Sequence, residues 1–436
     1  MSDLVIRGGT VVTSKSLGVA DVAVTAGRIT EVGPDLQAGA EEIDASGLHV
    51  FPGGIDSHVH FNEPGRTDWE TIATGSAALA AGGYTTFIDM PLNNLPVTID
   101  GAAFDLKLEA ARRSSLVDFG LWGGLVPGNL DRLAELADRG VIGFKAFMCP
   151  SGIDEFPPCD EKTLREGMKR IAELDSILLV HAEDPSRLSD PKGTTARDFL
   201  ESRPWEAELS AVHNAIAWAR EAGCRLHIVH VSWVPSAALI QVARENGADV
   251  SGETCPHYLL YSEDDLERLG GLGKCAPPFR TAGSLEAMWT SLADGWLQMV
   301  VSDHSPSTLE LKQGENFLRI WGGISGCQST RQLLLGQNRL DLKLIAALTS
   351  TNVAQRFGLK HKGDVAPGFD ADLWLVDLSH TDVLRRADLL YRNPFSAHEG
   401  QTIRGRTVRT LVRGQAVFAE GGTVRAPAAR LLKPNV

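Results

Sequence analysis

Two histidines one residue apart, His58 and His60, close the run Phe51-Pro52-Gly53-Gly54-Ile55-Asp56-Ser57-His58-Val59-His60. The run reads as a short apolar strand after a Pro-Gly turn. Alternate side chains of a strand share a face, so both imidazoles point one way and Val59 the other. Two imidazoles placed like this can grip one metal ion. Other apolar runs carry further candidates: Lys145 within Gly143-Phe144-Lys145-Ala146-Phe147-Met148, His181 ending Ile177-Leu178-Leu179-Val180-His181, His230 ending Leu226-His227-Ile228-Val229-His230, and Asp303 ending Met299-Val300-Val301-Ser302-Asp303. Strand alternation separates His227 from His230 and His304 from Asp303, so His227 is expected to face the helical layer and neither is taken as a ligand.

Each candidate has an ordinary explanation. A single strand histidine is more often a hydrogen-bonded core residue than a ligand, and a lysine near a strand end can snorkel to water. A charged ammonium in so apolar a strand is costly unless paired or neutralised. One chemical solution is reaction of the neutral amine with CO₂, which gives a carbamate, an anionic oxygen ligand able to bridge two metals. The ordinary explanations are independent of one another, and needing all of them at once makes them improbable.

The elements that must bring these residues together are strands alternating with helices. Strands are expected at 55–60, 85–90, 117–122, 141–148, 177–182, 226–231, 248–254 and 298–303. Between them, Leu164, Met168, Ile171 and Ala172 recur at helical spacing, as do Leu209, Val212, Ile216 and Ala219 ahead of Gly223. Eight βα repeats over 53–362 predict an α/β fold, a (β/α)₈ TIM-like barrel, whose strand C-termini converge on one face. No Gly-rich phosphate loop supports a doubly wound sheet instead. Residues 1–52 and 363–436 have β character, with a hairpin at Ala26-Gly27, a strand at 371–377 and a second hairpin of 407–413 with 416–418 around Gly414, and are expected to form one small β-sandwich from both chain ends.

Composition narrows the function. The 436 residues carry a net charge of -13, which argues against nucleic acid or an anionic membrane as partner. The six cysteines form no Cys-X-X-Cys pair and are too few to staple a chain of this length. Neither a signal peptide nor a membrane-spanning run is visible, so a cytoplasmic protein is expected.

The chain resembles the metal-dependent amidohydrolases of the cyclic-amidase branch, which includes dihydroorotases, hydantoinases, dihydropyrimidinases and allantoinases. The likeness rests on Gly54-Ile55-Asp56-Ser57-His58-Val59-His60, Phe144-Lys145-Ala146-Phe147, Val180-His181-Ala182-Glu183, Glu253-Thr254-Cys255-Pro256-His257-Tyr258-Leu259, Ser302-Asp303-His304 and the closing Gly363-Asp364-Val365-Ala366-Pro367-Gly368. It implies two divalent ions, commonly zinc, bridged by a carboxylated Lys145. His58, His60 and Asp303 would hold the first ion and His181 and His230 the second. Asp303 would also carry the catalytic proton, while His257 would bind no metal. A small cyclic amide as substrate and a homo-oligomer, a tetramer, are further implications.

Dihydroorotases of this branch carry an arginine two residues after the second histidine and an asparagine after the Met-Pro of the second strand. Here those positions are Asn62 and Leu92, so an anionic ring is disfavoured. The tyrosine that hydantoinases place shortly after the lysine is absent near Pro150. The segments Glu63-Pro64-Gly65-Arg66-Thr67-Asp68-Trp69-Glu70, Met90-Pro91-Leu92-Asn93-Asn94 and Ser302-Asp303-His304-Ser305-Pro306 resemble allantoinases, in which Asn93 and Ser305 would hydrogen-bond a neutral amide ring. Hydantoinase or dihydropyrimidinase activity is the alternative, and dihydroorotase the more remote one.

Overall fold

The computed structural model describes residues 2–419, 421–424 and 428–434. Residues 420, 425–427, 435 and 436 of the expected C-terminal β unit, and Met1 of the N-terminal one, lie outside the described residues.

Eight parallel strand positions close into a barrel. They are Gly54–Val59, Tyr84–Asp89, Asp118–Leu121, Phe144–Phe147, Ile177–His181, Arg225–Ile228, Val250–Thr254 and Met299–Val300. The third is interrupted at Trp122 and resumes as Gly123–Gly124, which pairs with the fourth. Closure between the last strand and the first runs through a parallel bridge of Val59 with His304, where the His60 N–H donates to the His304 carbonyl at 2.8 Å. Near-continuous apolar strands are what a sheet buried on both faces requires. Ile55, Ile88, Trp122, Leu179, Val229 and Met299 pack inside the barrel, whereas Phe87, Phe119, Phe144, Leu178, Val180 and Leu226 face the helices.

The helices follow from their sequences. In Glu161–Glu173 the buried positions Leu164, Gly167, Met168 and Ile171 fall on one face, and the Asp160 carboxylate caps the start by accepting from Thr163 N–H at 2.8 Å. Trp205–Ala222 stops at Gly223, whose φ of 64° is the left-handed conformation that ends helices. No helix among the described residues is long and apolar enough to cross a membrane.

Strands from both chain ends meet in one sheet, nine-stranded among the described residues. The N-terminal strand His49–Pro52 pairs antiparallel with Leu373–Val383, placing Phe51 opposite Trp374. Ala26 and Gly27, with φ of 51° and 77°, form the tight turn between Leu17–Thr25 and Arg28–Gly33. The buried Arg331 guanidinium ties this sheet to the barrel, 4.3 Å above the Trp374 ring and donating to the Gly83 carbonyl at 2.9 Å.

Candidate metal centre

The C-terminal ends of the barrel strands bring the candidate residues to one cavity of about 620 Å³, lined by His58, His60, His181, His230 and Asp303 together with Asn93 and Ser305. His58 Nε2 lies 3.1 Å and His60 Nε2 3.4 Å from Asp303 Oδ1. Across the site His181 Nδ1 lies 3.0 Å from His230 Nε2, and the His58 and His230 rings are 5.5 Å apart. Lys145 is fully buried, its Nζ without a hydrogen-bond partner and 4.6 Å from the centroid of Phe147. Phe147 in turn stacks on His181 at 4.6 Å.

Local backbone geometry aims two of these side chains. His230 and Asp303 each follow a strand end with φ of 38° and 46°, and Asn93 has 72°. A non-glycine residue held in the left-handed region costs on the order of 1 kcal/mol, and such residues persist where surrounding structure and function require them. The left-handed step at His230 also corrects the expectation for His227. Counted back from His230 by strand alternation, His227 should face the helices. It faces the barrel interior instead, with Nε2 3.0 Å from Glu253 Oε2, Nδ1 2.7 Å from Ser251 Oγ and its ring 5.3 Å from Phe357. His304 does turn away from Asp303: its Nδ1 accepts from Gly326 N–H at 3.2 Å and its ring packs on Tyr391 at 4.8 Å.

The charges around the site favour a cation at its centre. His58 has a carboxylate on each ring nitrogen, Glu253 Oε1 at 2.5 Å from Nδ1 and Asp303 Oδ1 at 3.1 Å from Nε2. A neutral imidazole has one N–H and serves one of the two. With that N–H directed at Glu253, the Nε2 lone pair faces Asp303, and a cation between them satisfies both. His181 repeats the arrangement: its Nε2 lies 2.7 Å from Glu183 Oε2, leaving Nδ1 to face His230. Burial pulls His60 down to about 4 and lowers His181 and His230, which keeps these imidazoles in the neutral form that ligates metal. Burial also pulls Lys145 down to about 7, so a large share of its amine is neutral near neutral pH. For Asp303 burial pushes the other way, and the surrounding His58, His60 and His230 outweigh it and hold the carboxyl below the usual range.

The ligand-type atoms of His58, His60 and Asp303 all lie within 4.8 Å of one another. Cys255, His257 and Asp303 form a second group of that kind, and Cys149, His181 and Glu183 a third. The Arg203 guanidinium donates to Glu183 and, against burial, holds that carboxyl at about 2, so the positive partner of Glu183 is already present. Sequence reasoning gave no role to Glu183, Arg203 or Glu253. Glu183 was within reach of it, two residues past His181 at the end of the strand Ile177–His181, while Glu253 was hidden by the misassigned His227. Asn93 Nδ2 lies 3.5 Å from Ser305 Oγ and 3.4 Å from His60 Nδ1. Asn62 is buried behind them and donates from Nδ2 to the Asn93 carbonyl at 3.3 Å.

The family model described as the amidohydrolase family matches residues 49–417. An allantoinase of Rubrobacter xylanophilus is 52% identical over 99% of this chain and 98% of its own length. One from Solibacter usitatus is 49% identical, covering 100% and 98%, and one from Salmonella choleraesuis is 40% identical over 95% of both chains. Among solved structures, an L-hydantoinase (dihydropyrimidinase) from Arthrobacter aurescens superposes with a TM-score of 0.96 at 30% identity, covering 99% of this chain and 100% of that one.

Proposed function

The chain belongs to the amidohydrolase family, and within it we propose that the reaction is hydrolytic opening of the allantoin ring to allantoate, a step of purine breakdown. The enzyme is a hydrolase acting on cyclic amide C–N bonds. What carries the choice of ring is the convergence of four imidazoles and Asp303 on one cavity, with Lys145 buried behind its Phe147 wall and without a hydrogen-bond partner, in a chain whose full-length relatives, at 40–52% identity, are named allantoinases.

His58, His60 and Asp303 would hold one divalent ion and His181 and His230 a second, with Lys145, carboxylated on Nζ, bridging them. We propose zinc for both, on the family likeness. Bound there, the ions supply an acidified water and polarise the ring carbonyl. Asp303 accepts the proton of the attacking water and returns it to the ring nitrogen as the C–N bond breaks. Asn93 and Ser305, beside His60, orient the neutral amide edges of the ring. Glu253 fixes the His58 tautomer, and Glu183, anchored by Arg203, does the same for His181. A homotetramer in the cytoplasm is proposed on the same likeness. Elemental analysis checks the metal, and sedimentation the assembly.

The structural match to an L-hydantoinase favours a second reading, opening of hydantoin or dihydropyrimidine rings. A panel of allantoin, hydantoin, dihydrouracil and dihydroorotate with the metal-loaded enzyme separates the two. Allantoin is expected to be opened far faster than dihydroorotate, because Asn62 and Leu92 offer no contact for a ring carboxylate, and Asn62→Arg is expected to bring no gain on allantoin. Faster opening of dihydroorotate or dihydrouracil would overturn the assignment.

Glu253 gives a second test. Glu253→Gln is expected to weaken metal binding by about 10–100-fold, the usual cost of losing a carboxylate behind a ligating histidine, with turnover recovering at saturating metal. A metal titration that superimposes on wild type would remove Glu253 from this role.

A further inference from the structure

One wall of the cavity has little secondary structure of its own. Residues 317–323 form a single short 3₁₀ turn, Phe317–Arg319, followed by irregular chain, and Leu318 to Gly323 line the cavity. Carbonyls in such a segment find no partner in a helix or a ladder and need one elsewhere. Two buried lysines supply it. Lys274 Nζ donates to the carbonyls of Phe317 at 2.9 Å, Leu318 at 2.9 Å and Ile320 at 2.6 Å. Lys312 Nζ donates to the Trp321 carbonyl at 3.0 Å and to that of Gly323. Three acceptors around one nitrogen use all three donors of an ammonium, which a neutral amine does not have. The Lys274 Nζ also lies 5.0 Å and 5.4 Å from the Phe199 and Phe317 ring centroids. The Gly323 N–H donates back to the Lys274 carbonyl at 2.7 Å, so the two stretches are tied in both directions.

No carboxylate lies within ion-pair reach of either Nζ among the described residues. A buried cation without a counter-charge is costly unless its hydrogen bonds are complete. An apolar residue would fill either place at less cost if packing were the only requirement. What the lysines hold is specific: every carbonyl they bind belongs to the wall segment, and Trp321 within it meets Trp69 of the opposite loop at 4.8 Å between rings.

We propose that Lys274 and Lys312 are positioning residues for the substrate, whose Nζ donors fix the 317–323 wall and its Trp321 ring around the part of the cyclic amide that lies away from the metal centre. The proposal rests on the cyclic-amide reading of the cavity. A wall of this kind contributes to ground state and transition state alike, so loosening it raises KM and leaves kcat nearly in place.

Lys274→Met and Lys312→Met keep stem length and remove the donors. Each is expected to raise KM for allantoin about tenfold, with kcat within about threefold of wild type. Metal content should be unchanged, and amide hydrogen exchange across 317–323 should quicken. Unchanged KM and unchanged exchange in both variants would overturn the proposal. So would a fall in kcat as large as that in kcat/KM with loss of metal, or failure of both variants to fold, since either result places the lysines in the general framework. If wild type proves inactive on allantoin, that result bears on the proposed ring alone. The exchange measurement, and KM for whichever ring is opened, still decide the role of the wall.

Discussion

Lys145→Ala is expected to lose at least one metal and nearly all turnover, and a short carboxylic acid such as propionate is expected to restore part of both. The amine sits fully buried with no hydrogen-bond partner, a poor site for an ammonium. Burial draws its pKa down to about 7, so the neutral, CO₂-reactive fraction grows as pH rises through that value. Carboxylation would convert a buried cation into an anion with two oxygens between the two proposed metal sites, where a pair of dications would otherwise repel. Loss of a carboxylate one shell further out already costs ~10–100-fold, so loss of the bridge itself should cost more than ~100-fold in activity. Alanine leaves a space that a small acid can enter with its carboxylate where the carbamate oxygens would be. Metal content by elemental analysis and turnover, each with and without the acid, check both halves. Full activity of Lys145→Ala without added acid would falsify the bridge and make a single-metal site the better account.

The parts of this molecule that were legible in the sequence are those with a local period or a local turn. Most barrel strands are buried runs of four to six residues bounded by turn signals, the last being only Met299–Val300, and the observed strands fall within a few residues of the expected positions. The hairpin at Ala26-Gly27 was legible for the same reason, since its turn needs positive φ at both central residues. His58, His60, His181 and Asp303 could be singled out as candidates because the C-terminal end of a barrel strand is a position, not a contact. His227 could not be placed, because the period-2 count assumes extended backbone and His230 departs from it. The Lys274 and Lys312 clamps have no signature at all. They join side chains to loop carbonyls 43 to 46 and 9 to 11 residues away, with no repeat and no charge partner to betray them. Arg203 on Glu183, 20 residues apart across a loop and a helix, was hidden in the same way.

Asp303→Asn is expected to separate the proposed metal-holding role of this residue from its proposed proton chemistry. Asparagine keeps the size of the side chain and one oxygen able to face His58 and His60, so the fold and much of the metal content should survive. It lacks a basic second oxygen, and nothing else at that position can take a proton from water and return it to the leaving nitrogen. The other nearby carboxylates are engaged, Glu253 between His58 and His227 and Glu183 between His181 and Arg203. Loss of one acid–base group costs about 10²–10⁴-fold in rate. Because the proton transfer occurs only in the transition state, kcat and kcat/KM should fall together while KM changes little. The wild-type carboxyl is held below the usual range, so it is ionised across neutral pH. A variant that keeps its metal and turns over allantoin near the wild-type rate would leave Asp303 as a ligand only. The proton would then have to travel through another group, and His257, buried near Cys255 and Asp303 with both ring nitrogens unpaired, would be the next residue to replace.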